Sequence, residues 1–338
     1  MRKKIELSIV YVVLKITMTV VMFFVLKFIF EIEPNHYQDF SYYVSNPEGR
    51  GPNMGFRYLL NFLRIESPND YSSMILAFIL NAFIDVMWIL LFKKYLSNRE
   101  IYAFVILLSL HPYLATYTLK FSSIIFSKLA VLLFFHGMIN ERTSTQTFSL
   151  NMSLFWIMIS VIRNSNVFIF IPVLVYHLRS MPLTAVISAL AVSAAIYWSS
   201  VGYLGGLNPE NWPWSIAYLR DLFLIENNIF LVFIFFSCRL LLLFGAREKV
   251  FTEGIEPFLV PVLPALELTI YVTLGVVQFV GYCVAIKFLF RRYAYYSFLP
   301  YLPLILSLFS VSHARYILPY LPICFLGLIL LTRARSND

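Results

Sequence analysis

Met1–Phe30 reads MRKKIELSIVYVVLKITMTVVMFFVLKFIF. Arg2, Lys3 and Lys4 precede an apolar run from about Leu7 to Phe30. A secretory signal has a shorter apolar core and a small-residue cleavage site, and this stretch has neither. It predicts a retained first membrane span with its amino terminus in the cytoplasm. Within lipid only helices or closed barrels satisfy the backbone. The run does not alternate strictly between apolar and polar residues, which favours a helix.

Working outward, comparable apolar segments recur along the chain. They are Glu6–Phe30, Ser73–Phe92, Ile101–Thr116, Phe121–Ile139, Ser149–Arg163, Asn166–Leu178, Leu183–Val201, Glu226–Phe244, Leu266–Phe290, Ser297–Val311 and Tyr316–Leu331. The composition agrees, with 60% hydrophobic and only 13% charged residues. Soluble domains carry roughly 45–50% apolar and about 25% charged residues, so such a chain needs lipid as part of its solvent. A soluble enzyme, a disordered chain and a disulfide scaffold are excluded. The net charge of +8 fits cations flanking spans better than nucleic-acid binding, because no basic segment outside the spans could form a groove. Cys238, Cys283 and Cys324 lie in apolar runs without metal-ligand spacing and read as small hydrophobes.

Lys93, Lys94, Arg99, Arg142 and Arg179 fall where the positive-inside rule places cytoplasmic connections. Eleven spans would leave Arg333 and Arg335 outside, so a further crossing is expected within 202–225 or 250–266. The expected fold is all-α: a polytopic membrane helix bundle of about ten to twelve spans with both termini cytoplasmic. With no internal repeat or linker, residues 1–338 read as one transmembrane domain. Its extracytoplasmic loops are about 31–72 and 202–225. In the first loop, Met54–Ile65 has apolar residues at helical spacing and suits a short interfacial helix. In the second, Trp212, Trp214 and Tyr218 would anchor at headgroup level.

Ionisable residues inside spans are functional candidates by default. They are Asp85, Lys120, Lys128, Arg163, Arg239 and Lys287, with His111 and Arg315 near span ends. Each has a plainer reading: Asp85 pairing with a buried cation, Lys128 and Lys287 snorkelling to headgroups, Arg239 facing Glu267. Three stretches gather at the outer face under this topology: HPYLATYTLKFSS (His111–Ser123), VIRNSNVF (Val161–Phe168) and SVSHARYILPYLP (Ser310–Pro322). They bring Lys120, Arg163, His313 and Arg315 to the side that already holds Arg50, Arg57 and Arg64. Cations on an outer face run against the positive-inside bias, and a phosphate gives them a reason, since Arg matches it with a planar fork. Glu31, Glu33, His36 and Asp39 supply acids and a base nearby. A carboxylate or His can deprotonate an acceptor hydroxyl in glycosyl transfer while cations hold the leaving phosphate. No GxSxG, Walker loop, GxGxxG, HExxH or CxxC is present.

With its acidic first loop, GFRYLLNFLRI (Gly55–Ile65), PYLATYTLKFSSIIFSKLAVLLFFHG (Pro112–Gly137) and SHARYILPYLP (Ser312–Pro322), the chain resembles the bacterial O-antigen and exopolysaccharide polymerases of the Wzy class, especially their EpsG-like branch. Lys120 stands where that family has an Arg, and the adjoining Gln is absent. QDFSYYV (Gln38–Val44) is also similar to the first-loop Asp motif of polyprenyl-dependent GT-C glycosyltransferases.

The resemblance implies a polymerase of undecaprenyl-pyrophosphate-linked repeat units, metal- and nucleotide-independent, in a bacterial inner membrane. Asp39 or His36 would be the acceptor-activating base, and His313 a second proton carrier. Arg163, Arg315, Lys120 and Arg57 would hold pyrophosphate. Its partners would be the lipid-linked glycans, the bilayer and, where present, a chain-length regulator; no nucleic acid and no cofactor is expected. A GT-C transferase is the alternative, although GT-C chains are generally longer and this one stops soon after its last expected span. A flippase for the same lipid-linked units is the second alternative, against which the missing repeat counts. A membrane acyltransferase needs a His near an Asn, and His136 and Asn140 fall at a cytoplasmic end.

Overall fold

The computed structural model describes residues 2–29, 54–65, 71–140, 150–155, 158, 263–292, 299 and 317–336. Apart from the turns that join them, the described residues are helical, with no strand among them. The elements are α1 (Arg2–Phe24, continued by a π turn at Val25–Ile29), α2 (Met54–Phe62), α3 (Tyr71–Phe92), α4 (Asn98–Leu110), α5 (Pro112–Thr118), α6 (Ser123–Asn140), α7 (Leu263–Phe290) and α8 (Leu321–Ser336, entered through a 3₁₀ turn at Leu318–Tyr320). Among the described residues, four stretches are long and apolar enough to cross a membrane: Glu6–Phe24, Tyr71–Phe92, Ser123–Asn140 and Thr273–Phe290. The protein is a membrane-embedded helical bundle.

The helices are turned inside out relative to a soluble protein. Along α1, Leu7, Tyr11, Lys15, Thr19 and Met22 are buried, while Ile9, Val13, Ile16 and Val20 are exposed. The four-residue spacing puts each set on one stripe. The inward stripe is the more polar one. On α3, Ser73, Ala77, Asn81, Asp85 and Trp88 face inward and Ile75, Ile79 and Phe83 face outward. Lipid accepts the apolar side chains at no cost, so the bundle interior takes the polar ones.

The expected span Ile101–Thr116 is two helices, not one. α4 starts with a capping box, in which the Ser97 N–H donates to Glu100 Oε2 (2.7 Å) and the Glu100 N–H to Ser97 Oγ (3.5 Å). It stops at His111 because Pro112 has no N–H to continue the ladder, and Pro112 opens α5 instead. α5 is no surface connection either: Leu114, Ala115, Tyr117 and Thr118 are buried, and the helix packs on α1, α3 and α4.

α2 is helical as expected and docks through Phe56, whose ring lies 5.9 Å from Phe121 and 6.1 Å from Phe126. It ends with Arg64 in the left-handed region (φ 53°), and the Ile65 N–H closes back on Leu60 O at 3.0 Å.

α3 and α4 form a hairpin around Lys93–Ser97 that collects other helix ends. Lys94 Nζ donates to Asn140 Oδ1 at the end of α6 (3.2 Å). Phe288, near the end of α7, packs edge-on against Tyr95 at 5.9 Å. Arg333 of α8 donates to Glu100 and to the Tyr95 carbonyl. The ends of α3, α6, α7 and α8 therefore share one face, and α7 and α8 run parallel. They approach closely where Gly327 meets Gly281 and Ala285.

Candidate functional site

The structure joins three helices at a buried charged cluster. Asp85 of α3 is fully buried and accepts a hydrogen bond at Oδ2 from Tyr11 Oη of α1 (2.6 Å). Lys128 of α6 lies 3.3 Å from Asp85 Oδ1. Lys15 of α1 lies 3.8 Å from Asp85 Oδ2. Lys128 Nζ also donates to Asn81 Oδ1 at 2.8 Å. Asn81 Nδ2 in turn donates to the carbonyls of Ala77 (2.9 Å) and Thr118 (3.4 Å). Lys15 Nζ has a long bond to the Leu108 carbonyl, 3.5 Å.

Two ammonium groups thus share one carboxylate. Removing each ion from water costs several kcal/mol, and the mutual attraction offsets this only with good geometry and further hydrogen bonds. Lys128 has that support; Lys15 has less. Asn81 sits ten residues into α3 and eleven from its end, roughly 15 Å from either, so the cluster lies near mid-depth. Ion pairs at that depth mark sites where charge or a charged ligand is handled.

Lys120 lies in the non-helical segment between α5 and α6, buried to 6% exposure. Its Nζ is 4.7 Å from the Tyr117 ring centre. This junction is at the far end of α6 from Asn140, 17 residues or roughly 25 Å away along the axis. Non-helical backbone inside a membrane bundle persists where protein or a cavity surrounds it. The chain Asp85–Lys128–Asn81–Thr118 carbonyl ties the mid-depth cluster to the turn that carries Lys120.

Of the other expected site residues, Arg57 lies on α2, close in sequence to the Phe56 that docks against Phe121. His36, Asp39, Arg163, His313 and Arg315 lie outside the described residues, as do Arg50, Arg239, loop 202–225 and most of loop 31–72. Asp85 does pair with buried cations. Lys128 does not snorkel; it is held inward by Asp85 and Asn81. Lys287 is exposed near the end of α7. His111, at the α4–α5 break, packs 5.4 Å from the Phe325 ring. The side-chain partner of His136 is Asn151, whose Nδ2 lies 2.8 Å from Nδ1, whereas Asn140 bonds the His136 carbonyl. Cys283 and Cys324 are free thiols.

Tyr11, Lys15 and Asn81 are cluster members that the sequence reading did not single out. The signal was present: Tyr11, Lys15 and Thr19 recur at four-residue spacing in a span otherwise almost free of polar groups.

The fold and cluster define a membrane-embedded helical protein with a charged interior. No family model, curated protein or solved structure matches the chain.

Proposed function

We propose that the protein polymerises undecaprenyl-pyrophosphate-linked oligosaccharide repeat units at the outer face of a bacterial inner membrane, within a bundle of about ten to twelve spans. The observation that carries the reading is Lys120, a buried cation at a break between helices, on the face opposite a cluster of basic residues. Lys93, Lys94, Arg99, Arg291, Arg292 and Arg333 collect at the other end. By the positive-inside rule that end is cytoplasmic, which puts Lys120 on the outer side. In this reading an acceptor hydroxyl gives its proton to Asp39 or His36 as its oxygen bonds the anomeric carbon. The bond from that carbon to pyrophosphate breaks. The leaving group carries away the electron pair, held by Arg163, Arg315, Lys120 and Arg57.

A second reading, a flippase for the same lipid-linked units, is favoured by the mid-depth cluster of Lys15, Asp85 and Lys128, since buried ion pairs also line transport pathways.

Deleting the gene and resolving the host's surface polysaccharide on a gel separates the readings. A polymerase leaves a single repeat unit in place of the ladder. A GT-C transferase leaves a ladder of altered mobility. A flippase leaves not even the single unit. In complementation, Lys120→Ala is expected to lose the ladder at normal membrane abundance, with Lys120→Arg partly active. A wild-type ladder from Lys120→Ala removes Lys120 from the site.

A further inference from the structure

The end of α7 presents a second cationic feature, distinct from Lys120 and the buried cluster. Lys287, Phe288, Arg291 and Arg292 are all exposed, whereas Phe290 turns inward and is fully buried 6.0 Å from Phe135. Phe288, Leu289, Arg291 and Arg292 line an open-sided cavity of about 550 Å³. Its wall is braced: the Phe288 ring packs on Tyr95, and Lys94 Nζ sits 5.0 Å over the other ring of that pair.

Neither arginine has a carboxylate partner among the described residues. Glu100, the described acid at this end, is already taken by Arg333. Two guanidinium groups without a carboxylate partner among the described residues thus stand beside the exposed Phe288 and the half-buried Leu289 where a membrane span ends. That height is the boundary between acyl chains and phosphates. A phosphate fits the guanidinium forks, and acyl chains fit the Phe288–Leu289 side. A zwitterionic headgroup would bring its own cation against Arg291 and Arg292, so an anionic headgroup is the complementary one.

We propose that Arg291 and Arg292 bind the phosphate of an anionic phospholipid whose acyl chains lie along Phe288 and Leu289. The site is independent of the polymerase reading.

The test is native mass spectrometry of the full-length protein in detergent. The protein is titrated with phosphatidylglycerol, with phosphatidylcholine as the zwitterionic control and inorganic phosphate as competitor. The wild type is expected to retain phosphatidylglycerol preferentially. Arg291→Gln with Arg292→Gln should weaken that binding about tenfold or more and leave phosphatidylcholine binding unchanged. Arg99→Gln, at an exposed cation of the same end that does not line the cavity, should bind as wild type does. The double Lys variant, which keeps the charge and loses the forks, should recover part of the affinity and controls for misfolding. Undiminished phosphatidylglycerol binding by the double Gln variant overturns the proposal. So does an equal loss in Arg99→Gln, which would mean a diffuse charge effect. Displacement of the lipid by millimolar phosphate overturns it too, because the site would then take a free anion.

Discussion

Two of the seams between the described helices are built by opposite means. Where α1, α3 and α6 meet, the contact is polar: Tyr11, Lys15, Asn81, Asp85 and Lys128, all essentially without exposure. Where α7 and α8 cross at Gly281 and Gly327, the contact is backbone against backbone. A Cβ placed on Gly327 would overlap the Gly281 carbonyl, and one on Gly281 would lie 2.5 Å from the Cys324 carbonyl. Lipid chains are as apolar as leucine, so burying apolar surface between helices gains little in a membrane. Association comes from close backbone packing or from interhelical polar contacts, and this protein uses each in a separate place. The packed seam works by close fit at its glycines. The polar seam carries a desolvation cost that an apolar core would avoid, which makes it the better candidate for function.

The largest expected effect comes from unbalancing the polar seam. Asp85→Leu leaves Lys15 and Lys128 buried without a counter-charge and should cost about 3–5 kcal/mol. It would be read as a collapse in the melting temperature of the detergent-solubilised protein. Replacing the whole triad (Lys15→Met, Asp85→Leu, Lys128→Met) should restore stability to wild type or above. If that triple variant folds but, under the proposed function, fails to restore the surface polysaccharide ladder, the triad serves activity and not the fold. A triple variant as unstable as Asp85→Leu would mean that the charges themselves hold the helices.

Breaking the packed seam comes next. Gly327→Val forces α8 away from the Gly281 carbonyl and should cost at least about 1–3 kcal/mol by overpacking. Gly137→Ala on α6 is the matched control, since its new Cβ would meet nothing nearer than 3.4 Å. Equal melting temperatures for the two variants would show that α7 and α8 are not tightly joined.

The smallest effect belongs to the Glu100–Arg333 pair at the shared helix ends. The Arg333 hydrogen bond is the main reason the Glu100 carboxyl is held down at about 2, against an ordinary 4.5. Folded protein therefore prefers the ionised form. The stabilisation is complete above about pH 4.5 and fades as the pH falls through about 2. Both groups are partly exposed, so the gain is under about 1 kcal/mol. Melting curves of wild type and Glu100→Gln should differ above pH 4.5 and converge near pH 2. An offset that persists at pH 2 would mean that something other than the carboxylate charge holds Arg333 in place.

Much of the fold was legible in the residues. Spans expected at Ser73–Phe92 and Phe121–Ile139 appear as Tyr71–Phe92 and Ser123–Asn140, and the short helix of the first loop is where its spacing put it. Ile101–Thr116 was misjudged because hydropathy runs straight through His111–Pro112, while the missing proline N–H ends the helix there. The site was less legible. Asp85, Lys120 and Lys128 stand out from the sequence as costly charges, but no local pattern says which of them meet. Lys15 is masked in the sequence by a run whose flanks are themselves basic.

Composition and the lengths of apolar runs by themselves determined that this is a helical membrane protein, because transfer of a side chain into lipid is a property of each segment alone. Pairing is not such a property. Tyr11 and Asp85 are 74 residues apart, and Glu100 and Arg333 are 233 apart. Whether Lys128 reaches a headgroup or a buried carboxylate depends on what its neighbours place opposite it. Only the tertiary structure could decide that, because the energy of a buried charge is set by its partners.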